Sequence, residues 1–177
     1  RNPEELARRL TPPYDVIDPA MQQSFYEADP CNIIRVDLGK DLPGDNEYEN
    51  RYTRGGSLWQ EWKKNGTLVE EPKKSFYVYE QEYKLPDGAS IRRRGFFAAV
   101  RIEDFSEGGI RAHEHTFAGP KADRFRLMRA TNSNLSPVFC LYDDPELRAD
   151  RLLAEVIEGQ KPVTAEFDGQ THRMWVI

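Results

Sequence analysis

Between Arg111 and Arg129 the sequence gathers side chains suited to moving protons and holding phosphate. His113 and His115, two of the three histidines in the chain, flank Glu114; Thr116 follows, and Lys121 and Arg124 stand three residues apart further on. Five residues of this stretch are Lys or Arg and two are acidic, a local net charge of +3 inside a chain whose total is −5. Histidine and glutamate are the usual proton carriers near neutral pH. An Arg offers a two-pronged fork for phosphate oxygens, and a Lys supplies a compact charge. Gly119-Pro120 punctuates the segment ahead of a predicted helix over Lys121–Ala130. Glycine allows a ligand close to the backbone. The first N–H groups of a helix are unsatisfied and carry roughly half a positive charge, so an anion is stabilised there.

This chemistry assigns roles. Lys121, Arg124 and Arg111 are the expected holders of phosphate oxygens, with His115 and Thr116 beside the same ligand. Glu114 or Asp15 would orient an acceptor hydroxyl or hold Mg²⁺, and His113 or His115 would shuttle a proton. Asp15 belongs to a second rigid turn, Pro12-Pro13-Tyr14-Asp15, which is expected to meet the central loop and bring Tyr14 with it. Ser136, in the turn Asn132–Pro137, completes the ligand-binding set. His-x-His places two rings on one side of a strand and suits Zn²⁺ or Mn²⁺. Two ligands do not make a site, however, and no third His or Cys lies nearby in sequence, so no metal centre is assigned. The competing reading is plain: a polar surface loop followed by a helix whose Lys-Asp-Arg charges pair in water. There is no GxxxxGK[ST] phosphate loop, no GxGxxG and no nucleophile elbow, so a nucleotide site here would be of another type.

The elements that must position these residues follow from local signals. Asn2-Pro3 and Asp18-Pro19 are N-caps with proline in the first turn, opening helices to about Leu10 and Ala28. Asn32–Leu38 reads as a strand. Over Glu47–Lys64 the residues Tyr48, Tyr52, Trp59 and Trp62 fall near helical spacing, closed by Asn65-Gly66. Gly55-Gly56 interrupts that helix at roughly 1 kcal/mol per glycine, which a close neighbour, a ligand or a kink would each explain. Phe76–Tyr83 and Arg94–Ile102 form a hairpin around the Pro86-Asp87-Gly88 turn, with the run Arg92-Arg93-Arg94 expected on a solvated face. Val138–Tyr142 is wholly apolar and is expected as a central strand. Pro145–Glu158 reads as an amphipathic helix, and Val163–Phe167 with His172–Ile177 as a second hairpin. Strands and helices mix without a βαβ rhythm. The expected fold is therefore α+β, with a mixed, mostly antiparallel sheet and several flanking helices.

Composition narrows the class. The 177 residues, 38% hydrophobic and 31% charged, suit a single soluble domain spanning 1–177. No apolar run approaches the roughly 20 residues that cross a bilayer, so no membrane partner is expected. Nothing at the start resembles a signal peptide, and Cys31 and Cys140 form no CxxC pair; both read as reduced core residues of a cytoplasmic protein. The acidic balance argues against a general nucleic-acid binder. The chain stops inside its last strand, which points to the N-terminal part of a longer protein.

Pro12-Pro-Tyr-Asp-Val-Ile17, Arg94-Gly-Phe-Phe97 ahead of Ile102-Glu-Asp-Phe105, His113-Glu-His-Thr116, Gly119-Pro-Lys-Ala-Asp-Arg124 and Asn134-Leu-Ser-Pro-Val-Phe-Cys-Leu-Tyr142, in this order, resemble domain-of-unknown-function family 1015. Members of that family are often labelled as similar to the ParB/Spo0J chromosome-partitioning proteins, a wider group that includes nucleotide-binding domains and a kinase of free serine. The resemblance implies a ParB-like α+β fold with phosphates bound near a loop-to-helix junction. The Gly-Glu-Arg-Arg box of the ParB group is missing, and Gly119–Arg124 stands as its replacement. The resulting expectation is a nucleotide- or phosphate-binding domain, a phosphotransferase of the small-molecule, free-amino-acid kind using Mg²⁺ with ATP, ADP or CTP. The alternative is a non-catalytic ParB-like nucleotide switch that contacts DNA only through parts outside this chain.

Overall fold

A computed structural model describes residues 2–112 and 115–177. In chain order the elements are α1 (Pro3–Ala7), α2 (Pro19–Ala28), α3 (Ile34–Asp37), α4 (Arg51–Lys64), β1 (Tyr77–Lys84), β2 (Ser90–Phe97), α5 (Ala118–Thr131), α6 (Arg148–Ile157), β3 (Val163–Phe167) and β4 (Gln170–Val176). The fold is α+β, with one four-stranded antiparallel sheet in the order β2-β1-β4-β3. The chain divides into two compact units. A sheet unit comprises Arg1–Ile34, Val69–Ala98 and Val138–Ile177, and a helical unit comprises Arg35–Leu68 and Ala99–Pro137.

In the sheet unit, β1 is central because its alternation suits burial. Val78 and Glu80 are buried on one face, with Val78 opposite Trp175 of β4. Glu80 is a buried carboxylate that would be costly alone. Arg94 reaches it at 3.0 Å from β2 and Arg173 at 3.2 Å from β4, both from positions directly across the ladder. The arginine run of β2 thus supplies counter-charge to a buried acid, Arg94 closely and the more exposed Arg92 at 3.6 Å, so the expectation of a wholly solvated run fails at Arg94. On the opposite face the Tyr79 hydroxyl meets Nδ1 of His172 at 2.6 Å.

Two expected strands are absent. Within Asn32–Leu38 the chain instead forms the one-turn helix α3, Ile34–Asp37. The fully buried Asn32 donates to the Arg8 carbonyl at 2.8 Å and accepts from the Ile34 N–H at 2.9 Å, which starts a helical turn where β-branched residues suggested a strand. Val138–Tyr142 joins no ladder, and its apolar side chains are exposed, Val138 by 82% and Leu141 by 83%. Both thiols are free, Cys31 half-buried and Cys140 exposed, so neither is a core residue as expected. Among the described residues no helix is long and apolar enough to cross a membrane.

The helical unit is organised by α4 and α5. Its buried residues include Val36, Trp62, Leu127 and Thr131, together with Gly55 and Gly56. The glycines do not break α4; they let neighbours close on it. A Cβ at Gly55 would stand 3.2 Å from the Val36 carbonyl oxygen, and one at Gly56 only 2.5 Å from that of Ala130 in α5. Contacts between the two helices advance together, Arg51 with Asp123, Gly56 with Ala130 and Trp59 with Ser133 just past α5. The helices therefore run parallel, and their N-termini lie at the same end of the unit.

Candidate functional site

The two parallel helices begin differently. Ahead of α4, Asn50 accepts from the Tyr52 and Thr53 N–H groups, and the Thr53 hydroxyl accepts from the Asn50 N–H, a closed capping box. Ahead of α5 stands Phe117, which is 80% exposed and caps nothing. The helix starts at Ala118, three residues before the Lys121 expected from sequence, so Gly119 and Pro120 lie inside its first turn. Proline is tolerated there because its missing N–H would find no helical acceptor anyway. The Lys121 N–H closes the first helical bond, to Phe117 O at 3.3 Å. The N–H groups of Ala118 and Gly119 precede that bond, and among the described residues no side chain caps them.

Around this start Arg111, His115, Thr116 and Lys121 are all exposed. Among the described residues neither Arg111 nor Lys121 has a carboxylate partner. Ser136 is exposed in the turn after α5, within the same unit. Tyr14 and Asp15 form a short 3₁₀ turn of the sheet unit, Tyr14 half-buried and Asp15 exposed. His113 and Glu114 lie outside the described residues.

Arg124 has a different environment from Lys121. Its guanidinium donates to Asp37 Oδ1 at 2.7 Å, to the Asp37 carbonyl oxygen at 2.9 Å and to Asp123 Oδ2 at 2.8 Å. The other oxygen of Asp123 accepts from the Tyr52 hydroxyl at 2.7 Å and from Arg51 at 2.5 Å. Arg51 also reaches toward Asp41 at 3.4 Å. Aspartates and arginines thus alternate across the shared N-terminal end of α4 and α5. Burial alone would push the Asp123 carboxyl up, but hydrogen bonds from Tyr52 and Arg124 and the charges of Arg124 and Arg51 hold it below the usual carboxylate range. Asp37 goes the other way: burial raises it, and Arg124 offsets only part of that rise.

Sequence reasoning placed the basic segment and its open helix start but missed Asp37, Arg51, Tyr52 and Asp123. Arg51 and Asp123 are 72 residues apart, and no local period links them. Gly55-Gly56 was the one visible trace of the close helix pair that brings them together. Chemically, the arrangement offers backbone N–H groups with no side-chain cap among the described residues and exposed cations beside an internally ion-paired base. Among the described residues no three His, Cys, Asp or Glu gather as a metal-ligand set.

The full chain, residues 1–177, matches the family model described as protein of unknown function (DUF1015). No curated protein and no solved structure matches it.

Proposed function

The chain belongs to the DUF1015 family, and on that premise we propose that it binds a phosphate-bearing small ligand, a nucleotide, at the open start of α5. One observation carries this reading: α5 begins without a side-chain cap among the described residues, next to a cation, Lys121, that no described carboxylate neutralises. The Ala118 and Gly119 N–H groups and the helix dipole favour an anion there, and Gly119 leaves room for it, since a Cβ at that position would meet nothing within 4 Å. Lys121 and Arg111 supply the compensating charge, and His115, Thr116 and Ser136 further hydrogen bonds. Arg124 contributes by holding α5 against α3 through Asp37. We further propose phosphoryl transfer to a small hydroxyl compound in a ParB-like fold, with Glu114 or His113 orienting the acceptor. Such transfer depends on positioned cations and an oriented hydroxyl.

Thermal-shift titration with ATP, ADP, CTP and sulfate, with and without Mg²⁺, tests the binding. A ligand at one hundred times its Kd raises stability by about 2.7 kcal/mol. Lys121→Ala is expected to weaken binding about tenfold, the value of one exposed charge-assisted contact. Equal affinity in both proteins removes α5 from the reading. Binding without consumption of nucleotide in the presence of free serine and related hydroxyl compounds leaves the non-catalytic switch in place of the kinase.

A further inference from the structure

We infer that the outer edge of β2 is a strand-addition site whose occupant is this chain's own segment Val138–Tyr142, which closes onto it as a fifth, parallel strand. β2 is a terminal strand of the sheet, and among the described residues its outward N–H and C=O groups meet no other backbone. An open eight-residue edge is a template for pairing. The segment beside it is Val-Phe-Cys-Leu-Tyr, five β-forming or apolar residues between Pro137 and Asp143. Four of its side chains are more than half exposed, an arrangement that favours finding a partner.

The segment already lies against this edge. The Arg93 guanidinium sits 5.1 Å from the Phe139 ring, and the Phe96 and Tyr142 rings are 6.1 Å apart. The two contacts advance in the same direction by three residues on each chain, which makes the approach parallel. They also fall on opposite faces of β2, as alternation along a strand demands. The implied register places Leu141 beside Gly95. A parallel neighbour requires a long crossover, and residues 98–137, which contain α5, provide one. The C-terminal end of the segment is tied down as well. The Asp144 carboxylate accepts from the Arg148 and Ala149 N–H groups at the start of α6, and Asp150 of α6 pairs with Arg94 of β2 at 3.3 Å.

The test is amide hydrogen exchange on the full chain at two concentrations twentyfold apart, together with cross-linking. The expected result is that Phe139–Leu141 exchange at least about tenfold more slowly than an unstructured peptide, and equally so at both concentrations. Leu141→Pro, which removes an N–H from the ladder, is expected to release this protection and that of the outward β2 amides while β4 is unchanged. Gly95→Cys with Leu141→Cys, in a Cys31→Ser, Cys140→Ser background, is expected to form a disulfide under mild oxidation faster than Ile91→Cys with Leu141→Cys. A Cβ at Gly95 meets nothing within 4 Å, so this pair remains informative even if the proline variant fails to fold. Free exchange throughout the segment, or equal rates for the two cysteine pairs, overturns the inference. Protection that grows with concentration also overturns it, because the occupant is then a second copy.

Discussion

Two parallel helices of one unit begin at the same end, and one start is closed while the other is open. α4 begins with a reciprocal capping box, places Arg51 in an ion-pair chain and buries two glycines in its second turn. α5 begins with an exposed phenylalanine, an unobstructed glycine and a proline. Parallel helices set their positive poles side by side, an unfavourable arrangement that Asp37, Asp41 and Asp123 help offset. The polarity of that end is therefore largely neutralised at the base, and the residual attraction for an anion is concentrated at the first turn of α5. The difference separates structural cations from available ones. Arg51 and Arg124 are spent on aspartates, whereas Lys121 and Arg111 meet no carboxylate among the described residues.

The largest expected effect comes from breaking the closed side. Arg124→Ala leaves two partly buried aspartates short of a partner and is expected to cost about 2–4 kcal/mol in urea unfolding of the helical unit. Nucleotide or sulfate affinity should change less than in Lys121→Ala. A mild stability loss with a large affinity loss would return Arg124 to the ligand.

Next is the glycine contrast. Gly56→Ala drives a Cβ to 2.5 Å from the Ala130 carbonyl oxygen, and parting α4 from α5 is expected to cost about 1–3 kcal/mol despite the better helix former. Gly119→Ala meets open space and is expected to gain up to about 1 kcal/mol. Opposite signs in denaturant midpoints check the pair; equal effects would mean the helices are not held as close as Gly56 indicates.

The acid limb distinguishes the two aspartates bound to Arg124. Asp123 is held below the usual carboxylate range, so its contribution is complete above the unfolded value near ~3.9 and is lost as pH falls through the lower folded value. Asp37 is raised, so its contribution is present at low pH and is lost as pH rises through the folded value. Asp123→Asn should therefore lower the melting temperature most at neutral pH, with the gap to the native chain closing below about pH 4. A gap that widens in acid would reverse the assignment.

The sequence disclosed what local chemistry decides. Asp18-Pro19 marks the start of α2 and Ala28 its end, because capping acts within one turn. The Pro86-Asp87-Gly88 and Asp168-Gly169 turns mark both hairpins, since only a few residues tolerate their backbone. Val138–Tyr142 did not form the expected central strand, because apolar β-formers state a preference for pairing but not the place in a sheet. The base of the candidate site was illegible for a related reason. Asp37, Arg51, Tyr52 and Asp123 acquire their roles from the packing of α3, α4 and α5, and each alone reads as an ordinary surface polar residue.

The smallest expected effect on stability comes from closing the open side. Asn50→Ala at α4 should cost about 1 kcal/mol, the usual value of a lost cap. The converse change, Phe117→Asp at α5, cannot return the same amount. A capping carboxylate normally accepts from the second and third N–H groups of the helix, and in α5 the third residue is Pro120, which has none. Only Gly119 remains as a donor, so a gain of about 0.5 kcal/mol is expected, assisted by the dipole. The consequence for binding is larger in proportion. The new carboxylate occupies the Gly119 N–H and repels a phosphate oxygen at the same place, so nucleotide and sulfate affinity should fall about tenfold or more while stability rises slightly. Phe117→Ala removes the ring without adding charge and is expected to leave affinity near the native value. The two variants together isolate the helix start from the loss of the aromatic side chain. Unchanged binding in Phe117→Asp, measured by titration at fixed ionic strength, would show that the ligand does not use the first turn of α5.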